Sequence, residues 1–342
     1  MAERDGSDGR GPDARAPGAV GVVGAGLIGR AWALVFARAG AEVRVADASA
    51  EVLEALPERL AADAALLARH GLLEDVAGAL ARVRTVASVE GAADGAELVQ
   101  ENGPEDVDVK RALFEALDRA APPEAILASS TSAIVASRFT EALPGRGRCL
   151  VAHPVNPPHL VPLVELCGAP WTRPEALERA LALYRAVGQV PVRVEREVDG
   201  FVLNRLQGAL LAEAFRLVGD GVMSPEDLDR TVSDGLGRRW SFLGPFATIE
   251  LNAPGGMADY CRRYTGFYRR LAEDPPGVAA FDEAIVGRVL ERWPRAPDPE
   301  RLAAAARDRD ERLAALAARQ RSLGAPPARS SPAHPEPSDD PR

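Results

Sequence analysis

Gly24-Ala25-Gly26-Leu27-Ile28-Gly29 stands between an apolar run, AVGVVG, and a segment of helical spacing that begins Arg30-Ala31-Trp32. Each glycine meets a different need there: Gly24 for the tight turn, Gly26 for backbone approach to a pyrophosphate, Gly29 for close helix–strand packing. A helix opening at Leu27 and Ile28 turns unpaired N–H groups and a positive dipole end toward phosphates. A second run, AEVRVAD, ends on Asp47, which can bond both ribose hydroxyls of an adenosine and would repel a 2′-phosphate. Ala48-Ser49-Ala50 follow with no arginine to receive such a phosphate. The pattern points to NAD rather than NADP. A glycine-rich turn with a capping aspartate is the plainer alternative, and the flanking strand and helix weigh against it.

Acid–base chemistry narrows to one histidine. His70 and His334 read as solvated, the first at a helix end and the second near the C-terminus. His153 ends the predicted strand CLVAHP, and the C-terminal edges of parallel strands face the ligand crevice. An imidazole of near-neutral pKa is the natural base for an alcohol proton that departs as hydride leaves carbon. Twelve residues on, Glu165 lies among apolar neighbours, and a buried carboxylate is costly unless paired. Pairing with His153 would orient the ring and stabilise the imidazolium. From the residues alone, a structural histidine and an ordinary strand-end acid stay open.

The elements that must position these groups fall in two halves. From Ala19 to about Val194, short apolar runs (AVGVVG, AEVRVAD, LVQEN, AILASS, CLVAHP, VPVRVE) alternate with helical patterns at Leu27 to Ala39, Ala50 to about Ala68, Val107 to Ala120 and Pro174 to Val187. This alternation predicts an α/β fold, a Rossmann-type doubly wound parallel sheet. After Gly200 the strand signal vanishes, and GFVLNRLQGALLAEAFRLVGDG has apolar spacing near 3.6. Ser224-Pro225-Glu226-Asp227 then reads as an N-cap with Pro at the first helical position and acids in the first turn. The expected organisation is a disordered leader over 1–18, an NAD-binding domain over 19–198, an all-α substrate and dimerisation domain over 199–321, and a Pro-rich disordered tail over 322–342.

Composition excludes several classes. A net charge of −9 over 342 residues, without a basic block, disfavours nucleic acid as partner. The apolar run from Val20 to Val45 is interrupted by Arg30, Arg38, Glu42 and Arg44, so no membrane span is expected. Cys149, Cys167 and Cys261 are odd in number and lack metal-type spacing, which suits a reducing cytoplasm and no metal site. Of 41 basic residues only Lys110 is a lysine.

VGVVGAGLIGRAWALVFARAG, QENGPEDVDVKRALF, ASSTSAIVAS, VAHPVNPPHLVPLVEL, EVDGFVLNRLQ and GLGRRWSFLGP, in this order, resemble the 3-hydroxyacyl-CoA dehydrogenase superfamily over roughly 19–315. Within it they are most similar to the lambda-crystallin type, which includes L-gulonate 3-dehydrogenase. The resemblance implies an NAD-dependent dehydrogenase with His153 and Glu165 as catalytic dyad. It implies that Ser132 hydrogen-bonds the reacting oxygen and that Asn204 positions substrate near the histidine. It places Glu105 and Lys110 against the NAD ribose and nicotinamide region, and it implies a homodimer.

Substrate follows from the resemblance as well. Acyl-CoA members usually carry a bulkier aromatic pair after the catalytic histidine, where this chain has Pro154-Val155. A small 3-hydroxy acid is therefore expected, L-gulonate foremost, with Arg239 as candidate partner of its carboxylate or else a solvated arginine. The alternatives are a 3-hydroxyacyl-CoA or carnitine-like substrate, and a crystallin-like or NAD-binding protein without turnover.

Overall fold

The structure, a computed structural model, describes residues 15–293 and 298–323. Most of the expected leader, nearly all of the Pro-rich tail, and His334 lie outside the described residues. The chain forms two compact units: one runs to Leu206 and takes in Glu300–Ala318, the other runs from Gln207 to Pro299 and resumes at Arg319.

The first unit is an eight-stranded sheet of β1 (Ala19–Val23), β2 (Glu42–Ala46), β3 (Val83–Thr85), β4 (Leu98–Glu101), β5 (Ile126–Ser129), β6 (Cys149–Pro154), β7 (Leu163–Gly168) and β8 (Val190–Val194). Their spatial order is β3-β2-β1-β4-β5-β6-β7-β8. Strand order reverses between β1 and β4, the switch point where ligands of such sheets bind. Helices α1 (Leu27–Arg38), α2 (Ala50–Arg69), α3 (Val76–Ala81), α4 (Val89–Ala93), α5 (Val107–Ala120), α6 (Ser137–Thr140) and α7 (Pro174–Ala186) cover the two faces. Because β1, β4, β5 and β6 lie within the sheet, they are apolar or buried along nearly their whole length rather than alternating.

Two strands go beyond the sequence reading. β3 is a three-residue edge strand, too short for a periodic signal. β7 pairs antiparallel with β6, whereas all other pairings are parallel. The residues between them, 155–162, are too few for the crossover a parallel neighbour requires. The sheet is thus mostly parallel with one reversal, and that reversal sets His153 directly opposite Glu165.

The second unit is helical among its described residues. Helix α8 (Leu203–Gly219) leads into it, and the helices Pro225–Arg230, Pro245–Glu250, Gly256–Ala272 and Glu283–Arg292 follow. The Ser224 hydroxyl accepts the Asp227 N–H at 3.1 Å, the N-cap its spacing foretells. The helix Pro299–Leu323 carries Glu311, which accepts from Arg69 at 2.9 Å and lies 2.7 Å from His70 Nε2. His70 is therefore paired rather than simply solvated, because a helix distant in sequence packs over the end of α2.

The β1–α1 turn shows why its glycines are required. Gly24 has φ +87°, and a Cβ there would stand 2.6 Å from the Asn102 carbonyl oxygen. A Cβ on Gly29 would lie 1.7 Å from the Gly24 carbonyl oxygen, so helix and strand could not both keep their places. A Cβ on Gly26 would meet nothing within 4 Å; its backbone faces open space.

His159 is buried with neither ring nitrogen bonded to a protein group. Burial, with the nearby charges of Arg38, Arg30 and Arg309, pushes its pKa down to about 4. The folded protein thus keeps this ring neutral at pH values where the unfolded chain protonates it. Stability from this source is complete above pH 6.5 and is lost as pH falls toward 4.

Two outcomes are expected. Gly26→Ala should alter stability by less than about 1 kcal/mol yet weaken dinucleotide binding, while Gly29→Ala should cost about 1–3 kcal/mol or more by overpacking. Thermal unfolding paired with nucleotide titration separates the two. His159→Leu should remove an unpaired buried polar group and flatten the stability loss of the wild type between pH 6.5 and 4, a loss on the order of 3 kcal/mol. Denaturant melts across that range check it; parallel curves for the two proteins would refute the assignment.

Candidate active site

The dinucleotide end is built first by the backbone. Gly26 is the N-cap residue of α1, with no side chain to occupy the N–H groups of its first turn, so they are available to an anion. The Leu27 side chain is exposed at that helix start and the Ile28 side chain packs partly into the core, so these two residues offer a ligand their backbone N–H groups rather than polar side chains. Asp47, just past β2, accepts from the Ala25 N–H at 2.6 Å and from the Ser49 N–H at 2.8 Å. One oxygen is thereby tied to the glycine loop and the other to the start of α2, and each keeps a lone pair for a ribose hydroxyl. An open loop backbone, an uncapped helix start and an acid at the end of β2 suit NAD.

Beneath the loop lies a polar network the sequence reading missed. Ser130 Oγ accepts from Trp32 Nε1 at 3.0 Å and Gln100 Nε2 at 2.7 Å, and donates to Asn102 Oδ1 at 2.7 Å. The Tyr184 hydroxyl donates to Gln100 Oε1, and burial raises its pKa well above the phenol range. Asn102 in turn donates to the carbonyls of Val23 and Gln100. The signal was present as polar residues within otherwise apolar runs, LVQEN and AILASS, but partners scattered from Trp32 to Tyr184 meet only in the fold.

Lys110 and Glu105, five residues apart on the sequence, part company here. Lys110 is 1% exposed and its Nζ lies 3.1 Å from both Glu101 oxygens, which also accept from Ser129 and the Gly103 N–H. Glu105 instead takes the Thr131 hydroxyl at 2.6 Å, the Ser132 hydroxyl at 2.9 Å and the Ser132 N–H. Burial raises the Glu105 pKa, but the bonds from the Ser132 N–H and the Thr131 and Ser132 hydroxyls, with the Lys110 charge, outweigh it and hold the carboxyl below its ordinary value.

His153 and Glu165 face each other across the β6–β7 pair, Nδ1 to Oε2 at 2.9 Å, both nearly inaccessible. The other Glu165 oxygen accepts the N–H groups of Val202 at 3.0 Å and Leu203 at 2.9 Å, at the start of α8. The chain reaches this point through Gly200 (φ +75°) and Phe201 (φ +49°), a conformation rare for a bulky residue. It buries the Phe201 ring 5.5 Å from the His153 ring. One residue into α8, Asn204 Nδ2 donates to the Ser132 carbonyl at 2.9 Å. Ser132, Asn204, Glu165 and His153 are thus brought into one chain of contacts. Arg239 is exposed in the second unit, on the short helix Gly237–Trp240.

Among the described residues, no cluster of His, Cys, Asp and Glu could hold a metal ion, and no helix is long and apolar enough to cross a membrane.

Known proteins give this geometry a family. Residues 19–198 match the "3-hydroxyacyl-CoA dehydrogenase, NAD binding domain" and residues 200–281 the "3-hydroxyacyl-CoA dehydrogenase, C-terminal domain". The chain is 45% identical to a lambda-crystallin homolog of Bos taurus, over 90% of this chain and 97% of that one. It is 35% identical to an L-carnitine dehydrogenase of Burkholderia mallei, over 84% of this chain and 89% of that one. Among solved structures it is similar to an NAD+-dependent dismutase, 5-formyl-3-hydroxy-2-methylpyridine 4-carboxylic acid 5-dehydrogenase, with a TM-score of 0.78 at 28% identity, covering 90% and 99% of the two chains. The chain belongs to the 3-hydroxyacyl-CoA dehydrogenase family, as an NAD-dependent oxidoreductase of the lambda-crystallin type.

Proposed function

We propose that this enzyme oxidises a small 3-hydroxy acid to its 3-keto acid, with L-gulonate the leading substrate and 3-dehydro-L-gulonate the product. The observation that carries the reaction is the buried His153–Glu165 pair at 2.9 Å. Pro154-Val155 after the histidine favours a small acid over a CoA thioester, since acyl-CoA members usually carry an aromatic pair there. NAD, held by Gly24, Gly26, Leu27, Ile28, Gly29 and Asp47, supplies the hydride acceptor.

The protein's own part is proton transfer and positioning. With its Nδ1–H donated in a hydrogen bond to the Glu165 carboxylate, His153 has its basic lone pair on Nε2 and takes the substrate hydroxyl proton there. Glu165 stabilises the resulting imidazolium, as the acid of a hydrolase triad does. Ser132 and Asn204 hold the hydroxy acid beside the base. Glu105 stands on the nicotinamide side, while Lys110 acts through Glu101, one layer further from the cofactor. Arg239 receives the substrate carboxylate.

The three free cysteines, two of them buried, support a cytoplasmic setting. Exposed apolar side chains of the second unit, among them Trp240, Phe242, Phe246, Leu251, Phe267 and Leu271, support a homodimer.

NADH formation, followed by absorbance with L-gulonate, L-3-hydroxybutyrate, carnitine and a 3-hydroxyacyl-CoA, tests the assignment. Turnover of a small hydroxy acid is expected, with kcat/KM reduced by roughly a hundred- to ten-thousand-fold in His153→Ala. Turnover of the CoA ester alone would move the enzyme to the fatty-acid branch. Turnover of carnitine alone would align it with the relative of that name. Silence on all four, with NAD still bound, would leave the fold intact and sink the substrate assignment. Arg239→Ala should raise KM for the acid by roughly 10- to 100-fold with kcat little changed; an unchanged KM would dispose of that contact.

A further inference from the structure

We propose that Glu105 fixes Ser132 as a hydrogen-bond acceptor, so that the site selects a substrate carrying a second hydroxyl beside the one oxidised; this rests on the function proposed above. The usual expectation for such a serine is donation to the reacting oxygen. The bonding pattern argues otherwise. A carboxylate has no proton to give, so in the 2.9 Å contact between Ser132 Oγ and Glu105 Oε1 the serine is the donor. Its single proton is committed, and only lone pairs remain to face a ligand. The same carboxylate takes the Ser132 N–H and the Thr131 hydroxyl, so the orientation is held at three points.

The neighbours have the same polarity. Asn204 Nδ2 donates to the Ser132 carbonyl, which turns Oδ1, an acceptor, to the other side of that amide. His153 gives Nδ1–H to Glu165 and keeps a lone pair on Nε2. The Leu203 N–H reaches Glu165 Oε1 and the next residue, Asn204, reaches the Ser132 carbonyl, so the start of α8 joins the Ser132 loop to the His153–Glu165 pair. Three acceptors thus gather where one oxidisable hydroxyl can satisfy only one, the histidine. A polyhydroxy acid has further O–H donors for Ser132 and Asn204; a simple 3-hydroxyacyl chain has none, and would leave their lone pairs desolvated and unpaired. In this account Ser132 touches substrate, and Glu105 is a positioning residue acting through it.

The test is calorimetric titration of the enzyme–NADH complex, in which an alcohol cannot react, with L-gulonate and with L-3-hydroxybutyrate. Wild type should bind the polyhydroxy acid at least about tenfold more tightly. Ser132→Ala should shrink that ratio to within about threefold, chiefly by weakening L-gulonate. Glu105→Gln, which keeps shape but can donate its amide N–H to Ser132 and free the serine proton, should shrink the ratio likewise. Equal binding of the two acids by wild type would overturn the proposal. So would Ser132→Ala weakening both acids by one factor, as loss of a donor to the shared oxygen would, or weakening NADH instead of the acid. Selectivity lost while L-gulonate is still turned over would sink this inference alone; turnover confined to the CoA ester would sink the underlying function as well.

Discussion

The Glu165 carboxylate is the contact on which the rest of the site depends. It is almost wholly withdrawn from water, and a lone carboxylate there would be strongly destabilising. It is tolerated because one oxygen meets His153 and the other caps the first N–H groups of α8 at Val202 and Leu203. A single group therefore fixes the imidazole tautomer and the place where α8 begins. Asn204, one residue into that helix, inherits its position and reaches back to Ser132. The positive φ values at Gly200 and Phe201 are the local cost of delivering the chain to this point, offset by the capped helix and by burial of the Phe201 ring against His153.

The cofactor end is organised by a different physics. There the backbone itself is the ligand-binding surface, and side chains serve to hold it. Gly29 allows α1 to touch the Gly24 carbonyl, and Asp47 ties the loop to α2. The network through Trp32, Gln100, Asn102 and Ser130 braces the floor beneath. Because Ser130 lies two residues before Ser132, the brace of the cofactor loop and the substrate loop share one stretch of chain. Glu101, at the end of β4, and Lys110, on α5, neutralise each other in the next layer, which lets a full ion pair sit buried between strand and helix.

What could be read from the sequence was what local rules govern. The glycine loop, Asp47, the longer helices α1, α2, α5, α7 and α8 and the strands β1, β2, β4, β5, β6 and β8 follow from periodicity and turn chemistry, as does the Ser224 cap, whereas α3, α4 and α6 span only four to six residues and are too short for a periodic signal. The suspicion that Glu165 needed a partner followed from desolvation alone. The strand that carries it, β7, was not legible, because Pro162 precedes it and a charge interrupts its apolar run. Its reversed direction comes from loop length and from pairing with β6, which is tertiary information. The partners of His70, Lys110 and Glu105 were hidden for the same reason: each lies on an element brought near by topology, not by spacing. His159 shows the converse, a polar residue buried without a protein partner, which no local rule anticipates.

Amide hydrogen exchange at Val202 and Leu203, measured in wild type and in Glu165→Ala, reads out what holds the start of α8. If this carboxylate holds the start of α8, both amides are protected in the wild type and should exchange at least about tenfold faster in the variant, while amides in β1 and β4 keep their protection. Equal protection of the two amides in both proteins would mean that α8 is held by something else, and that the link between base and substrate-binding helix does not run through Glu165.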